Sequence, residues 1–125
     1  MMSQKTKPAK VLVVDDDPVL RDMMVDMLDF EGYPIQIVRN GNEALNILRG
    51  EGNFLVFLDL MMPGLSGRDV CTILDAEPQV RNRHVIVLMT AMDKLDEAQS
   101  LHVEKIIFKP FVVEDVMHVI GQYMA

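Results

Sequence analysis

Four runs of this chain carry no polar side chain at all: Val11-Leu12-Val13-Val14, Phe54-Leu55-Val56-Phe57-Leu58, Val85-Ile86-Val87-Leu88-Met89 and Ile106-Ile107-Phe108. Each is short and rich in β-branched or aromatic residues, so each reads as a strand. A strand that is apolar at every position must be covered on both faces. That demand points to a parallel sheet with helices packed above and below it. A further run, Ile35-Gln36-Ile37-Val38, is broken by a polar residue and reads as an edge strand.

Helical patterns separate the strands. Asp17-Pro18 has the form of an N-cap followed by proline at the first helical position, after which Leu20, Met23, Met24, Met27 and Leu28 recur at helical spacing up to Gly32. Ala44, Leu45, Ile47 and Leu48 mark a second helix, and Val70, Ile73 and Leu74 a third. A weaker fourth surrounds Leu95, Ala98 and Leu101, and Val112, Val113, Val116, Val119 and Ile120 mark a fifth. The expectation is an α/β fold of one domain, five βα units doubly wound with right-handed crossovers and helices on both faces. Residues 1–9 are read as a flexible N-terminal tail and 10–125 as the domain.

The polar residues at the strand ends are informative. Asp15, Asp16 and Asp17 follow the first strand, Asp59 ends the third, Thr90-Ala91 follows the fourth and Lys109-Pro110 follows the fifth. In open parallel sheets, ligands bind outside the carboxyl ends of the strands. With strand order 2-1-3-4-5 these residues become neighbours, and the second strand, which contributes none, falls outside. Two like charges about 4 Å apart repel by roughly 4 kcal/mol at an effective dielectric of about 20. The acidic cluster therefore calls for a cation. Magnesium, held by hard oxygen donors and willing to share a phosphate, fits such a set.

The expected chemistry is phosphoryl transfer. Asp16 and Asp59 would supply metal-binding carboxylates, with a carbonyl just after Asp59 as a third oxygen and Asp15 in support. Asp59, the central carboxylate, would be the nucleophile. Lys109, the Thr90 hydroxyl and the Ala91 amide would meet the transferred oxygens. Asp17 is read as a helix cap and not a ligand. His84, His102 and His118 share no ligand spacing and are read as structural or exposed. The methionines are read as core filler, and Cys71 as a small buried residue.

The motifs Val11-Leu12-Val13-Val14-Asp15-Asp16-Asp17, Phe57-Leu58-Asp59-Leu60-Met61-Met62-Pro63-Gly64-Leu65-Ser66-Gly67, Thr90-Ala91 and Phe108-Lys109-Pro110-Phe111 resemble, in this order, those of receiver domains of two-component response regulators. The resemblance implies a flavodoxin-like sandwich. It implies that Asp59 accepts a phosphoryl group from a histidine kinase or histidine phosphotransfer protein, in a reaction that needs Mg²⁺ or Mn²⁺ bound by Asp15, Asp16, Asp59 and the Met61 carbonyl. It makes Thr90 and Lys109 phosphate contacts and switch residues, with a cis peptide at Pro110, and it implies an output domain or effector protein. Ile106 departs from the family, which usually has a tyrosine or phenylalanine there, so any signal must travel by another packing change. The stretch from Thr90 to Lys109 is also short, and a short fourth helix is expected, together with a monomer or a weak dimer.

Composition limits the alternatives. The net charge of −7 argues against nucleic-acid binding by this domain. No apolar run approaches the roughly 18 residues that a membrane span needs. The basic, polar start is no secretory signal, and the single cysteine fits a cytoplasmic setting. A dehalogenase-like phosphatase would need an acid where Met61 stands, and a flavin phosphate would be repelled by Asp15, Asp16 and Asp17.

Overall fold

The computed structural model describes residues 7–124, so most of the tail assigned to residues 1–9 lies outside the described residues. Five parallel strands form one sheet: β1 (Lys10–Val14), β2 (Ile35–Val38), β3 (Phe54–Asp59), β4 (Val85–Ala91) and β5 (Lys105–Lys109), in the order β2-β1-β3-β4-β5. The helices are α1 (Pro18–Phe30), α2 (Gly41–Arg49), α3 (Gly67–Asp75), α4 (Pro78–Arg81), α5 (Leu95–Gln99) and α6 (Val113–Tyr123).

Alternation along the buried strands builds two cores. Val11, Val13, Leu55, Phe57, Val87 and Ile107 face Met24 and Leu28 of α1 and Val116, Val119 and Ile120 of α6. Leu12, Val14, Val56, Leu58, Ile86 and Leu88 face the opposite side, where Leu45 and Leu48 of α2, Val70 and Leu74 of α3 and Ala98 of α5 cover them. The absence of a polar face, visible in the sequence, is thus satisfied by helices on both sides. Cys71 is 1% exposed and packs in the second of these cores.

Five helices were expected, and six are present among the described residues. The added one is α4, a single turn opened by Pro78 and closed near Arg81. Its purpose is local. Arg81 is only 8% exposed and donates to the carbonyls of His84 and His102 and to Oε1 of Glu104, at 3.0, 3.0 and 2.9 Å. Glu104 in turn accepts the Ile86 N–H at 2.7 Å, while its own N–H donates to the Ile86 carbonyl. This knot ties α4 to the first residues of β4 and β5, at the far end of the sheet from the acidic cluster. Removing one partner would strand a largely buried charge, at a cost of about 3 kcal/mol.

His84 is fully buried and structural. Its Nδ1 accepts the Phe54 N–H at 3.1 Å, and its Nε2 lies 2.9 Å from the Leu48 carbonyl, so the Nε2–H tautomer satisfies both. The expected short fourth helix is α5, five residues long after a 3₁₀ turn at Met92–Lys94. Ile106, partly buried, pairs with Leu88 in the sheet register and packs against the core that Ala98 of α5 helps to cover.

Candidate functional site

The strand order brings the sequence-selected residues to one edge. In the register of the sheet, Val14 pairs with Leu58, Asp59 with Met89, Thr90 with Phe108 and Ala91 with Lys109. The chain therefore leaves β1, β3, β4 and β5 at nearly the same level. Asp15 and Asp16 begin one exit and Asp59 another. Thr90 and Ala91 are the last residues of β4, and Lys109 the last of β5.

Carboxylate oxygens of Asp15, Asp16 and Asp59 lie within 4.8 Å of one another. Asp15 is fully buried and Asp59 only 7% exposed, whereas Asp16 faces solvent. Lys109 reaches across β4 to this group. Its Nζ donates to Asp15 Oδ2 at 2.9 Å and lies 3.5 Å from Asp59 Oδ1. Asp15 Oδ1 accepts the Asp17 N–H at 2.9 Å, and Asp59 Oδ1 the Met61 N–H at 3.3 Å. Asp17 takes the capping place instead, accepting the Val19 N–H at 3.0 Å. Thr90 is 2% exposed, and among the described residues its hydroxyl makes only a long contact of 3.4 Å to the Ala91 carbonyl. The Lys109–Pro110 peptide is cis.

Electrostatics single out Asp59. Burial and then the charge of Asp15 push its carboxyl up to about 6, against the opposing pull of Lys109. Burial acts to lower the Lys109 ammonium, but hydrogen bonds and charge from Asp15 and Asp59 outweigh it and raise its affinity for a proton. Three oxygen-bearing acids and one lysine leave Asp59 costly to ionise without a further cation. The donor set, all hard carboxylate oxygens, suits Mg²⁺.

That cost has a measurable sign. The folded protein holds the Asp59 proton more tightly than the unfolded chain, in which aspartate titrates near about 4. The metal-free protein thus loses stability as pH rises from about 4 through about 6. Asp59→Asn removes the loss. In EDTA the variant is expected to be more stable than the parent by about 2 kcal/mol at neutral pH, with the gap closing near pH 4. Urea midpoints across this range check it; a gap independent of pH would assign the effect to something other than ionisation.

The loop after Asp59 is held by glycine. Gly64 has a φ of +72°, which favours a residue without Cβ. Gly67 starts α3 so close to β3 that an added Cβ would meet the Asp59 carbonyl oxygen at 2.1 Å. In the sequence Gly67 stands out only as the last residue of the motif that follows Asp59. Its contact with the backbone of Asp59 required the packed structure to be seen.

Comparison with known proteins agrees with this geometry. A family model described as the response regulator receiver domain matches residues 11–121. The DNA-binding response regulator MtrA of Mycolicibacterium smegmatis is 34% identical over 114 residues, spanning 90% of this chain and 49% of that protein. The chain thus spans about half the length of the curated relatives it matches. Among solved structures, response regulator TrrA of Thermotoga maritima, in complex with Mg²⁺ and BeF, is 29% identical with a TM-score of 0.78, covering 92% of this chain and 98% of that one. The receiver domain of Ssk1, crystallised with the Saccharomyces cerevisiae histidine phosphotransfer protein Ypd1, aligns at 26% identity and a TM-score of 0.82, covering 95% and 91%.

Proposed function

This chain belongs to the response regulator receiver domain family, and on that premise we propose that Asp59 is its phosphoacceptor, loaded from a phosphohistidine on a histidine kinase or histidine phosphotransfer protein. The domain is a signalling element and not a turnover enzyme. One observation carries the assignment of roles: the Lys109 ammonium lies 2.9 Å from Asp15 and 3.5 Å from Asp59, on the edge where three carboxylates meet. An aspartate so placed is central, reachable and flanked by a cation that suits an incoming phosphoryl oxygen.

In this reading a carboxylate oxygen of Asp59 attacks phosphorus and forms the acyl phosphate. The bond from phosphorus to the donor imidazole nitrogen breaks, and the imidazole keeps the electron pair. Asp15, Asp16, Asp59 and the Met61 carbonyl would hold Mg²⁺ (or Mn²⁺), which supplies neutralisation of charge on the acids and the phosphoryl group. Lys109 trades part of its contact with Asp59 for a phosphoryl oxygen. Thr90, buried and weakly bonded, turns its hydroxyl to a second oxygen, and the Ala91 amide serves the third. Movement of Thr90 opens space that Ile106, next to Leu88 in the sheet, would fill. An output domain or effector protein would read that repacking. A cytoplasmic location and a monomeric or weakly dimeric state fit the same reading, and the acidic balance gives this domain no nucleic-acid role of its own.

Beryllofluoride with Mg²⁺, a mimic of the acyl phosphate, tests the site. Expected are amide shifts at Asp59, Thr90, Ala91 and Lys109, spreading to Ile106 and α5. Spectra unchanged at these residues would point instead to an interaction module that works without phosphorylation.

A further inference from the structure

Methionine reads in this sequence as core filler, and Met24, Met62 and Met89 obey, each of them buried. Met61 and Met92 do not. Met61 is 55% exposed and Met92 63%, whereas the other described methionines are buried or half-buried. Core packing explains neither residue, yet both stand at the acidic edge. β3 and β4 run side by side with Asp59 opposite Met89, and the Leu60 N–H still donates to the Met89 carbonyl at 3.0 Å. Met61 follows that last bond, and Met92 opens the 3₁₀ turn directly after Ala91. The two methionines thus leave adjacent strands on one edge, each two residues past a buried residue of the pocket, Asp59 or Thr90. Two residues of chain span at most about 7 Å, and the Met61 N–H donates to Asp59 Oδ1 at 3.3 Å.

We propose that Met61 and Met92 form an oxidisable rim through which hydrogen peroxide sets the lifetime of the acyl phosphate, a regulation that rests on the reading of Asp59 as phosphoacceptor. Each thioether sulfur takes one oxygen atom from peroxide: the sulfur gives up two electrons, the O–O bond breaks and water leaves. A flexible apolar side chain with a weak acceptor becomes a polar one whose new oxygen accepts hydrogen bonds well. Hydrolysis of the acyl phosphate needs a water held against phosphorus. The water oxygen bonds phosphorus and the bond from phosphorus to the Asp59 oxygen breaks. Asp59 keeps the electron pair, and the water's proton passes to the released phosphate. Thioethers at the rim give that water little to bond to, whereas a sulfoxide oxygen holds it in place and so hastens the step. Competing targets are shielded. Cys71, the chain's single thiol, is buried, and burial above all pushes its ionisation up to about 12, which leaves no thiolate to meet peroxide.

Hydrogen peroxide with EDTA on the whole folded chain, followed by peptide mass mapping, is expected to add oxygen to Met61 and Met92 well before Met24, Met62 and Met89. Returned to Mg²⁺ and loaded with acetyl phosphate, the oxidised chain should lose its phosphoryl mass about fivefold faster than the untreated one, the effect of one ordinary hydrogen bond on a transition state. Methionine sulfoxide reductases should restore the slower rate. In the double variant Met61→Leu, Met92→Leu, the rates of loss with and without peroxide should agree, which separates the rim from oxidation elsewhere, Met1 and Met2 included. Oxygen added first to the buried methionines, an equal or slower loss after oxidation, or a full peroxide response in the leucine variant would each overturn the proposal. Absence of phosphoryl mass on the untreated chain would instead remove the phosphoacceptor reading, and the proposal with it.

Discussion

Asp59→Asn is expected to take up no phosphoryl group from acetyl phosphate and Mg²⁺, while the parent chain should gain the mass of one. The substitution keeps shape and volume and removes only the negative charge and the nucleophilic oxygen pair. Asparagine can neither attack phosphorus at a useful rate nor give Mg²⁺ a charged ligand, so the expected loss of labelling is complete within detection. The variant also answers the usual objection that a dead mutant is an unfolded one. With its neighbour neutralised, Asp15 retains the 2.9 Å bond from Lys109 and no longer repels a second buried carboxylate. The folded state should therefore gain stability while function is lost. A phosphoryl mass appearing equally on the variant would show that the acceptor lies elsewhere, with Asp16, the exposed member of the cluster, the first alternative to map. Lys109→Met sharpens the comparison: it leaves Asp59 as nucleophile but removes the cation 3.5 Å away, so labelling should slow without vanishing.

How much of this was legible depends on the range of the interactions. The strands announced themselves because burial on both faces removes every polar residue from Val11 to Val14 and from Val85 to Met89. The strand order agrees with the chemistry, since 2-1-3-4-5 sets Asp15, Asp59, Thr90 and Lys109 on neighbouring strands and leaves β2 outside. Local signals also told the truth where one residue decides, as in the Asp17 cap of α1. What the sequence hid were contacts between distant residues. Arg81 and Glu104 look like two solvated charges, yet they meet at 2.9 Å across 23 positions and hold the opposite end of the sheet. The one-turn helix α4 exists largely to deliver that arginine. Likewise three consecutive aspartates do not say which will be buried. Position along β1 turns Asp15 into the pocket and leaves Asp16 in solvent.

The same lesson makes Gly67 the most vulnerable residue outside the chemistry. A methyl group there would lie 2.1 Å from the Asp59 carbonyl oxygen, 2.9 Å from its carbonyl carbon and 3.0 Å from Leu60 Cα. All three are backbone atoms, and no rotamer change can move them aside. The Leu60 N–H is bonded to Met89 and the Leu60 carbonyl accepts the Gly67 N–H, so the strand end is fixed from both sides. Relief requires roughly 1 Å of movement, by α3 sliding outward and loosening Val70, Cys71 and Leu74, or by the end of β3 retreating and carrying Asp59 away from Lys109. Overpacking of this kind costs about 3 kcal/mol, and displacement of a reacting group by 1 Å costs on the order of a hundredfold in rate. Gly67→Ala should accordingly lower the urea midpoint and cut acetyl phosphate labelling together. Gly121→Ala on α6 is the control, because nothing lies within 4 Å of the new methyl and alanine favours a helix over glycine by up to about 1 kcal/mol. If the two alanine variants proved equally stable and equally reactive, close approach of α3 to the end of β3 would have no part in building the site.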